Sequence, residues 1–163
     1  MTTFLFDLAF KTVIKHEGGY VNDPKDLGGE TKYGISKRSY PNVDIKNLTL
    51  DQAKEIYYRD FWVKGKCDKI NNEKVAIKLF DFGVNMGTQQ ASRLIQRALR
   101  SVGMAVVEDG IIGTATLSAV NNVNSMELLA ALKSEAAGFY RGLVIANATQ
   151  QKFLNGWLNR AYS

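Results

Sequence analysis

The sequence predicts a mainly α-helical fold with at most a small β element near the N-terminal end. Apolar residues recur at helical spacing over most of the chain, beginning with residues 3–16, and this spacing is typical of helices that bury one face. Residues that favour helix N-caps, such as Thr49 and Asn72, stand directly before apolar runs. The glycine-rich segment 20–41 is instead typical of a loop, and a short hairpin is expected within it around Tyr33–Ser36.

Each predicted helix boundary has a reason in the residues themselves. Thr49 and Gln52 match a capping box, and Gly87 interrupts a helical run. Asp109 and Gly110 predict a tight loop. Thr88 and Thr114 are expected to cap the helices that follow them. The expected helices cover residues 3–16, 49–61, 72–86, 88–99, 114–120, 125–143 and 149–160.

The composition is that of a protein with a packed core. With 163 residues, of which 45% are hydrophobic, the chain is long enough for one domain, or for one domain with a small helical subdomain. Cys67 is the only cysteine, so we expect a structural thiol and no intrachain disulfide. His16 is the only histidine, and one histidine with scattered acids is a poor ligand set for a transition metal. We therefore expect neither a metal nor another cofactor.

The chain carries 21 Lys and Arg residues against 16 Asp and Glu residues, which gives a net charge of +5. Such an excess favours an anionic partner, namely nucleic acid, a membrane surface or an acidic cell-wall polymer, or it serves solubility alone. The basic residues are dispersed and form no recognition motif, so we do not expect nucleic-acid binding.

The N-terminal segment lacks the features of an export signal. It has no basic n-region, and Asp7 and Lys11 interrupt its apolar run. No apolar run approaches the length of a membrane span. We therefore expect synthesis in the cytoplasm without a signal peptide, no stable membrane insertion, and release by another factor if the protein acts outside.

The densest group of chemically active side chains lies between His16 and Ile35. Glu17 stands at the end of an apolar helix, where the macrodipole disfavours a carboxylate charge, and a general acid needs a carboxyl that keeps its proton. Asp26 lies nine positions further along the chain. Two carboxylates that flank a glycosidic bond are the usual requirement for sugar cleavage, so this pair is compatible with a glycoside hydrolase.

Each of these residues also has a structural interpretation. Glu17 could be a solvated residue at a helix end, and Asp26 could form a turn, as we expect for Asp23 before Pro24. Likewise, Glu30 could be a surface loop residue, and Thr31 could form a hydrogen bond with a buried backbone group. Tyr20 and Tyr33 could belong to the core.

The motifs, taken in their order, resemble two known families. The first set resembles the N-acetylmuramidases of glycoside hydrolase family 108, which include phage endolysins, and it comprises Glu17-Gly-Gly-Tyr20, Asn22-Asp-Pro24, Asp26, Gly28-Gly29, Thr31 and Tyr33-Gly-Ile35. The second set resembles the predicted peptidoglycan-binding domain that accompanies them, and it comprises Gly83–Gly87, Gln96–Leu99, Asp109-Gly110, Gly113, Thr116-Leu117, Ala119–Asn121 and Phe153–Arg160. The resemblance implies a catalytic region over residues 1–80 and a helical, peptidoglycan-binding-like region over residues 81–163. Because the sequence shows no flexible linker, we expect the two regions to pack into one globule.

The same resemblance implies roles for individual residues in a lysozyme-like helical fold. Glu17 would be the general acid that helps to hydrolyse the β-1,4 bond between N-acetylmuramic acid and N-acetylglucosamine. Asp26 and Thr31 are comparable to the Asp and Thr of the phage lysozyme triad, although their spacing is one residue shorter, and Glu30 is a rival for the second position. Asn85 resembles a cleft-lining Asn-x-Gly element and would bind an N-acetyl group, unless it only caps its helix.

The family resemblance also implies a biological setting. An endolysin of a phage or prophage degrades peptidoglycan at host lysis and acts in the periplasm after a separate holin releases it, and we expect a monomer. Tyr20 and Tyr33 are expected to pack against sugar rings. The alternative is a non-catalytic peptidoglycan-binding or secretion accessory protein, which would keep the fold without needing Glu17.

Overall fold

In the computed structural model, which describes residues 3–24 and 29–163, the protein is mainly α-helical with a small antiparallel sheet, and the predicted fold class is confirmed. The helices are α1 (Phe4–Ile14), α2 (Leu50–Tyr57), α3 (Glu73–Met86), α4 (Thr88–Ser101), α5 (Thr114–Asn122), α6 (Ser125–Ala146) and α7 (Leu154–Tyr162). The strands are β1 (Val21–Asn22), β2 (Glu30–Lys32) and β3 (Ile35–Ser36). The chain divides into two compact units, residues 1–64 and 65–163.

The helices of the first unit begin at side-chain caps. The backbone N–H of Phe6 donates to Thr3 Oγ1 over 3.3 Å. The predicted capping box is confirmed, because the Gln52 N–H donates to Thr49 Oγ1 over 3.2 Å and the Thr49 N–H donates to Gln52 Oε1 over 2.9 Å. After α2 the chain continues as a π-helix over Tyr58–Val63, within the segment that the apolar spacing predicts to be helical.

Aromatic side chains make up much of the core of the first unit. The buried ring of Phe6 packs edge-on against Tyr58, with ring centroids 5.0 Å apart, and against Trp62, at 5.6 Å. Phe10 packs in the same way against Tyr57, at 5.6 Å. Edge-to-face packing of this kind adds to the stabilisation from burial. These contacts hold α1 against α2 and the π-helix, and so fix the position of the C-terminal end of α1 within the first unit.

The sheet has the strand order β1-β2-β3, with both pairs antiparallel. The predicted hairpin is confirmed between β2 and β3, where Lys32 pairs with Ile35 across a two-residue turn. Tyr33 and Gly34 form this turn with φ values of 52° and 75°. Positive φ at both positions is the mark of a type I′ turn, which matches the twist of the flanking strands. The sequence did not predict β1, which has only two residues and therefore shows no alternation of its own.

In the second unit, α6 packs against α3, α4 and α7. The predicted cap of α3 is confirmed, since the Val75 N–H donates to Asn72 Oδ1 over 3.1 Å. The expected caps at Thr88 and Thr114 are wrong by one residue, because the N-cap positions belong to Gly87 and Gly113. Gly87 has a φ of +91°, which lies outside the helical region, so α4 begins directly after it.

A buried glutamine organises the loop that precedes α5. Gln96 is fully buried, and its Nε2 donates to Asp109 Oδ1 (2.9 Å) and the Ile111 carbonyl (3.0 Å). Its Nε2 also donates to Thr116 Oγ1 (3.3 Å), while its Oε1 accepts from the Gly110 N–H (2.9 Å). The hydrogen bond from Gln96 also lowers the pKa of the Asp109 carboxyl below its usual value. The tight loop predicted at Asp109-Gly110 is therefore held from the core side by one side chain.

Buried charges attach α7 to α3. Arg160 Nε donates to Asp81 Oδ1 over 3.0 Å, and Lys78 Nζ donates to Asp81 Oδ2 over 3.2 Å. Lys78 also donates to the Arg160 carbonyl, and both Lys78 and Asp81 are buried. Burial lowers the pKa of Lys78. Buried charges of this kind are costly unless they are paired, so Asp81 fixes the position of α7 by compensating two cations.

Cys67 is a buried free thiol, and burial raises its pKa. In residues 3–24 and 29–163, none of the helices has the combined length and apolarity required to span a bilayer.

We expect Gln96→Glu to lower the free energy of unfolding by about 2–4 kcal/mol at neutral pH, because a carboxylate oxygen would replace Nε2 and face the Asp109 carboxylate and the Ile111 carbonyl, neither of which can donate. Urea denaturation measures the change, and Gln151→Glu at an exposed position is the matched control. The loss should shrink at acidic pH, where the introduced carboxyl regains a donor. Equal stability of the two variants would contradict this role of Gln96.

Candidate active site

Glu17 lies in a helical turn that continues past the last residue of α1. The His16 N–H donates to the Val13 carbonyl over 3.0 Å, and the Glu17 N–H donates to the Ile14 carbonyl over 3.2 Å. The next residue, Gly18, has a φ of +41° and ends the helical path. Glu17 is half-buried, whereas His16 is exposed. The end of α1 therefore holds one carboxyl partly shielded from water.

The Glu17 side chain packs against the turn of the hairpin. A Cβ placed on Gly34 would lie 2.8 Å from Glu17 Oε2 and 3.2 Å from Glu17 Cβ, and it would overlap the Tyr57 hydroxyl. The Tyr57 hydroxyl in turn donates to the Tyr33 carbonyl over 2.9 Å. Position 34 therefore requires glycine for two reasons, a left-handed backbone and the close approach of two side chains.

Glu30 and Tyr20 are joined by a hydrogen bond between their side chains. The Tyr20 hydroxyl donates to Glu30 Oε1 over 2.8 Å, and this bond raises the pKa of Tyr20. The bond connects the residue before β1 to the first residue of β2, where Asn22 is paired with Glu30. Glu30 is thus a half-buried carboxylate with a fixed donor rather than a loose surface residue.

Thr31 and Glu30 lie on opposite faces of the sheet, because successive residues of a strand alternate between its faces. Thr31 pairs with Val21 on one side and with Ser36 on the other. The structure therefore places Glu30 and Thr31 on different faces, although the resemblance implied roles for both of them beside the general acid. Asp26, the expected partner of Glu17, lies outside the described residues.

Asn85 lies near the end of α3, and its side-chain oxygen has a partner. The Tyr140 hydroxyl donates to Asn85 Oδ1 over 2.5 Å. Tyr140 is buried, and burial raises its pKa to about 12, so the phenol remains a proton donor at physiological pH. The interpretation of Asn85 as a simple helix cap does not account for this bond.

The remaining predicted binding residue is half-buried in the hairpin turn. Tyr33 has the Lys32 ammonium 5.4 Å from its ring centroid.

A separate groove of about 440 Å³ in the first unit is lined by residues from Asn42 to Arg59 and includes none of the predicted site residues. Among residues 3–24 and 29–163, no three His, Cys, Asp or Glu side chains are grouped in a way that would hold a metal ion.

Sequence reasoning missed two tyrosines around these residues. Tyr57 and Tyr140 lie in the segments 49–61 and 125–143, which the apolar spacing predicts to be helical. In both cases the ring is buried, and the hydroxyl donates to a candidate residue at a distant point of the chain. Helical spacing carries no signal for such a bond, because it predicts which face is buried and not what a polar atom on that face meets.

Comparison with known proteins assigns both halves of the chain. Residues 10–87 match the family described as Glycosyl hydrolase 108, and residues 90–162 match the family described as Predicted Peptidoglycan domain. The region 10–87 therefore belongs to the glycosyl hydrolase 108 family, and the region 90–162 belongs to the predicted peptidoglycan domain family. The protein is a glycoside hydrolase of the lysozyme-like, peptidoglycan-degrading kind.

The structure is also similar to a solved one from Brucella abortus. The protein in that structure, SagA, is 28% identical, and the alignment covers 96% of this chain and 89% of that chain with a TM-score of 0.79. A comparison with curated proteins gives no match.

We expect Gly34→Ala to be more damaging than Gly29→Ala, although both glycines have left-handed φ values of +75° and +67°. Strain alone should cost about 1–2 kcal/mol at either position. Crowding against Glu17 and Tyr57 should add about 1–3 kcal/mol at position 34, whereas a Cβ on Gly29 meets nothing within 4 Å.

Thermal denaturation and hydrolysis of purified peptidoglycan measure the two effects. We expect the Gly34→Ala protein to lose most of its hydrolysis, because Glu17 is displaced, and the Gly29→Ala protein to keep more. If the two variants were equally stable and equally active, the packing of Glu17 on the turn would have no consequence.

Proposed function

We propose that this protein is an N-acetylmuramidase that hydrolyses the β-1,4 bond between N-acetylmuramic acid and N-acetylglucosamine. The observation that supports this most is the half-buried Glu17 carboxyl packed on the Gly34 turn, within the region that matches the glycosyl hydrolase family. A carboxyl held in one place with restricted access to water suits a general acid.

In the proposed mechanism, the Glu17 carboxyl gives its proton to the glycosidic oxygen. The bond from this oxygen to the anomeric carbon breaks, and both electrons leave with the oxygen. The sugar that remains develops positive charge as an oxocarbenium-like species. Water then adds to the anomeric carbon and gives a proton to the second acidic group or to solvent, and the Glu17 carboxylate regains a proton from solvent, so that the net change is hydrolysis of one bond.

We assign the second acidic position to Asp26, with Thr31 as its helper. Asp26 would either stabilise the developing cation or orient water on the opposite face of the sugar. Glu30 remains the alternative, because it is a half-buried carboxylate held by Tyr20. Since Glu30 and Thr31 lie on opposite faces of the sheet, a site on one face would use only one of them.

The remaining residues bind substrate in this proposal. Tyr20 and Tyr33 offer aromatic faces against which sugar rings pack, and the hydroxyl of Tyr20 also orients Glu30. Asn85 offers its amide to an N-acetyl group. The net charge of +5 favours approach to an anionic wall.

We further propose an endolysin role for the protein. It would be a monomeric phage or prophage enzyme, made in the host cytoplasm, that degrades the cell wall at host lysis after a separate holin releases it to the periplasm. Its two regions, residues 1–80 for catalysis and residues 81–163 for a peptidoglycan-binding-like part, would work on the same polymer.

We expect Glu17→Gln to reduce release of reducing ends from purified peptidoglycan by about 10²-fold or more, because the amide cannot donate the required proton. Glu55→Gln, at an exposed position of α2, should leave the rate unchanged. Full activity of a folded Glu17→Gln protein would rule out this assignment, and retained binding with no hydrolysis by the unaltered protein would favour an accessory function.

Mass spectrometry of the digest distinguishes the bond that is cleaved. We expect reducing-end N-acetylmuramic acid. Anhydro-muramic acid would instead indicate a lytic transglycosylase, and released peptide stems would indicate an amidase or peptidase.

The second acidic position has its own test. We expect Asp26→Asn to cost about 10²-fold in rate, and Thr31→Val and Glu30→Gln to cost about tenfold or less. Tyr20→Phe, which removes only the donor to Glu30, is the control for loss of that hydrogen bond. A large loss for Glu30→Gln with an active Asp26→Asn protein would transfer the role to Glu30.

A further inference from the structure

The second unit contains a groove that has no part in the proposed catalytic site. Its volume is about 540 Å³, within the range of small-ligand sites, and none of the predicted site residues that the structure describes lines it. One wall is the segment that carries Lys66 and Lys69, at the 3₁₀ helix Cys67–Lys69. The other wall is α5 with the residue before it, where positions 113, 117 and 121 recur about once per helical turn. The groove lies entirely within residues 65–163.

The side chain of Asn121 joins the two walls of the groove. Its Nδ2 donates to the Lys69 carbonyl over 2.9 Å, and its Oδ1 accepts from the Asn71 N–H over 2.9 Å. In the first turn of α5, the buried Gln96 donates to Thr116 over 3.3 Å. These bonds hold α5 in place at both of its ends. The groove is therefore preformed, and a ligand that binds there does not have to order its walls.

The groove carries an excess of positive charge. Of the residues that the structure describes, two lysines and no acidic residue line it, and both lysines are exposed. The Lys69 ammonium lies 3.3 Å from Asp68 Oδ2, so part of its charge is compensated. The Lys66 ammonium has neither a hydrogen bond nor an ion pair with any described residue. The groove therefore favours a ligand that carries a carboxylate or another anionic group.

The remaining lining residues indicate which anionic ligand fits. Ile112 and Leu117 provide apolar surface, whereas Thr114 and Ser118 provide hydroxyls that can bond amide groups. Among the described residues no aromatic side chain lines the groove, so it lacks the flat face against which sugar rings pack. In peptidoglycan, the stem peptides combine carboxylates, amides and alanine methyl groups, whereas the glycan consists of sugar rings. The lining is therefore complementary to the stem peptide rather than to the glycan.

We propose that this groove binds the carboxylate-bearing end of a peptidoglycan stem peptide, with the ammonium groups of Lys66 and Lys69 beside the carboxylate. The inference rests on the proposed function, in which peptidoglycan is the substrate. The two lysines belong to the region that matches the glycosyl hydrolase family, and the α5 wall belongs to the region that matches the peptidoglycan domain. Neither region contains the whole groove. The protein would thus hold the polymer by its peptides while it hydrolyses the glycan.

The test is a pelleting assay with insoluble peptidoglycan. The parent protein carries Glu17→Gln, so that the polymer stays intact during the measurement. We expect the added pair Lys66→Gln and Lys69→Gln to weaken binding by about three- to tenfold, because exposed charge pairs each contribute modestly. The pair Lys11→Gln and Lys74→Gln, at exposed positions outside the groove, is the control with the same net charge, and it should bind as the parent does.

Two treated polymers identify the group that is bound. Carbodiimide amidation converts the carboxylates of peptidoglycan to amides, and digestion with an amidase removes the stem peptides but leaves a lactyl carboxylate on each muramic acid. We expect the parent and the Lys66/Lys69 variant to bind equally to either treated polymer. If the two lysines still strengthened binding to the amidase-treated polymer, the contact would be to the glycan, and the proposal would be wrong.

A further variant separates the groove from its charge. Ser118→Tyr, at an exposed position, keeps the charge and obstructs the groove, so it should weaken binding to untreated peptidoglycan by a similar factor. Undiminished binding by this variant, or equal losses in the two lysine pairs, would overturn the proposal. Lysine-dependent binding to phosphatidylglycerol vesicles with none to peptidoglycan would overturn it in favour of a lipid headgroup. These results concern binding alone, whereas the proposed function fails if a folded Glu17→Gln protein still hydrolyses the polymer at the full rate.

Discussion

The left-handed turn at Tyr33-Gly34 is the constraint on which the surroundings of Glu17 depend. The turn closes the β2-β3 hairpin, accepts a hydrogen bond from Tyr57, and brings a residue without a side chain against the Glu17 carboxyl. Because the aromatic core places α1 beside Tyr57, the packing of the helix also positions the Glu17 carboxyl that follows it. The turn that closes the hairpin therefore also determines where the Glu17 carboxyl lies.

In the second unit, much of the peptidoglycan-domain motif has a structural purpose. Gln96, Asp109, Gly110 and Thr116 belong to one hydrogen-bonded group that holds a loop. Asp81 and Arg160 pair in the core to attach α7. Buried polar groups must be satisfied, and a group that is fully satisfied fixes one arrangement of the helices. Several residues of the peptidoglycan-domain motif thus serve to hold a loop and to attach a helix.

Two tyrosines, Tyr57 and Tyr140, show which features the sequence predicted and which it did not. The spacing of apolar residues predicted helices in the segments 49–61 and 125–143, which contain Tyr57 and Tyr140, and both rings are buried in helices. It did not predict that their hydroxyls donate to Tyr33 and Asn85. The predicted N-caps show the same limit of local sequence. Thr49 and Asn72 are N-caps as predicted, whereas the glycines before Thr88 and Thr114 occupy the N-cap positions of α4 and α5.

The sequence by itself determined the helical fold class, the hairpin, the glycine turn and the choice of Glu17 as the candidate acid, because each depends on residues close together in the chain. Only the tertiary structure decided that Glu17 packs on Gly34, that Glu30 is held by Tyr20 on the face opposite Thr31, and that the Tyr140 hydroxyl donates to Asn85. The physical reason is that local spacing fixes which side of an element is buried, whereas hydrogen bonds and close approach depend on atoms that only folding brings together.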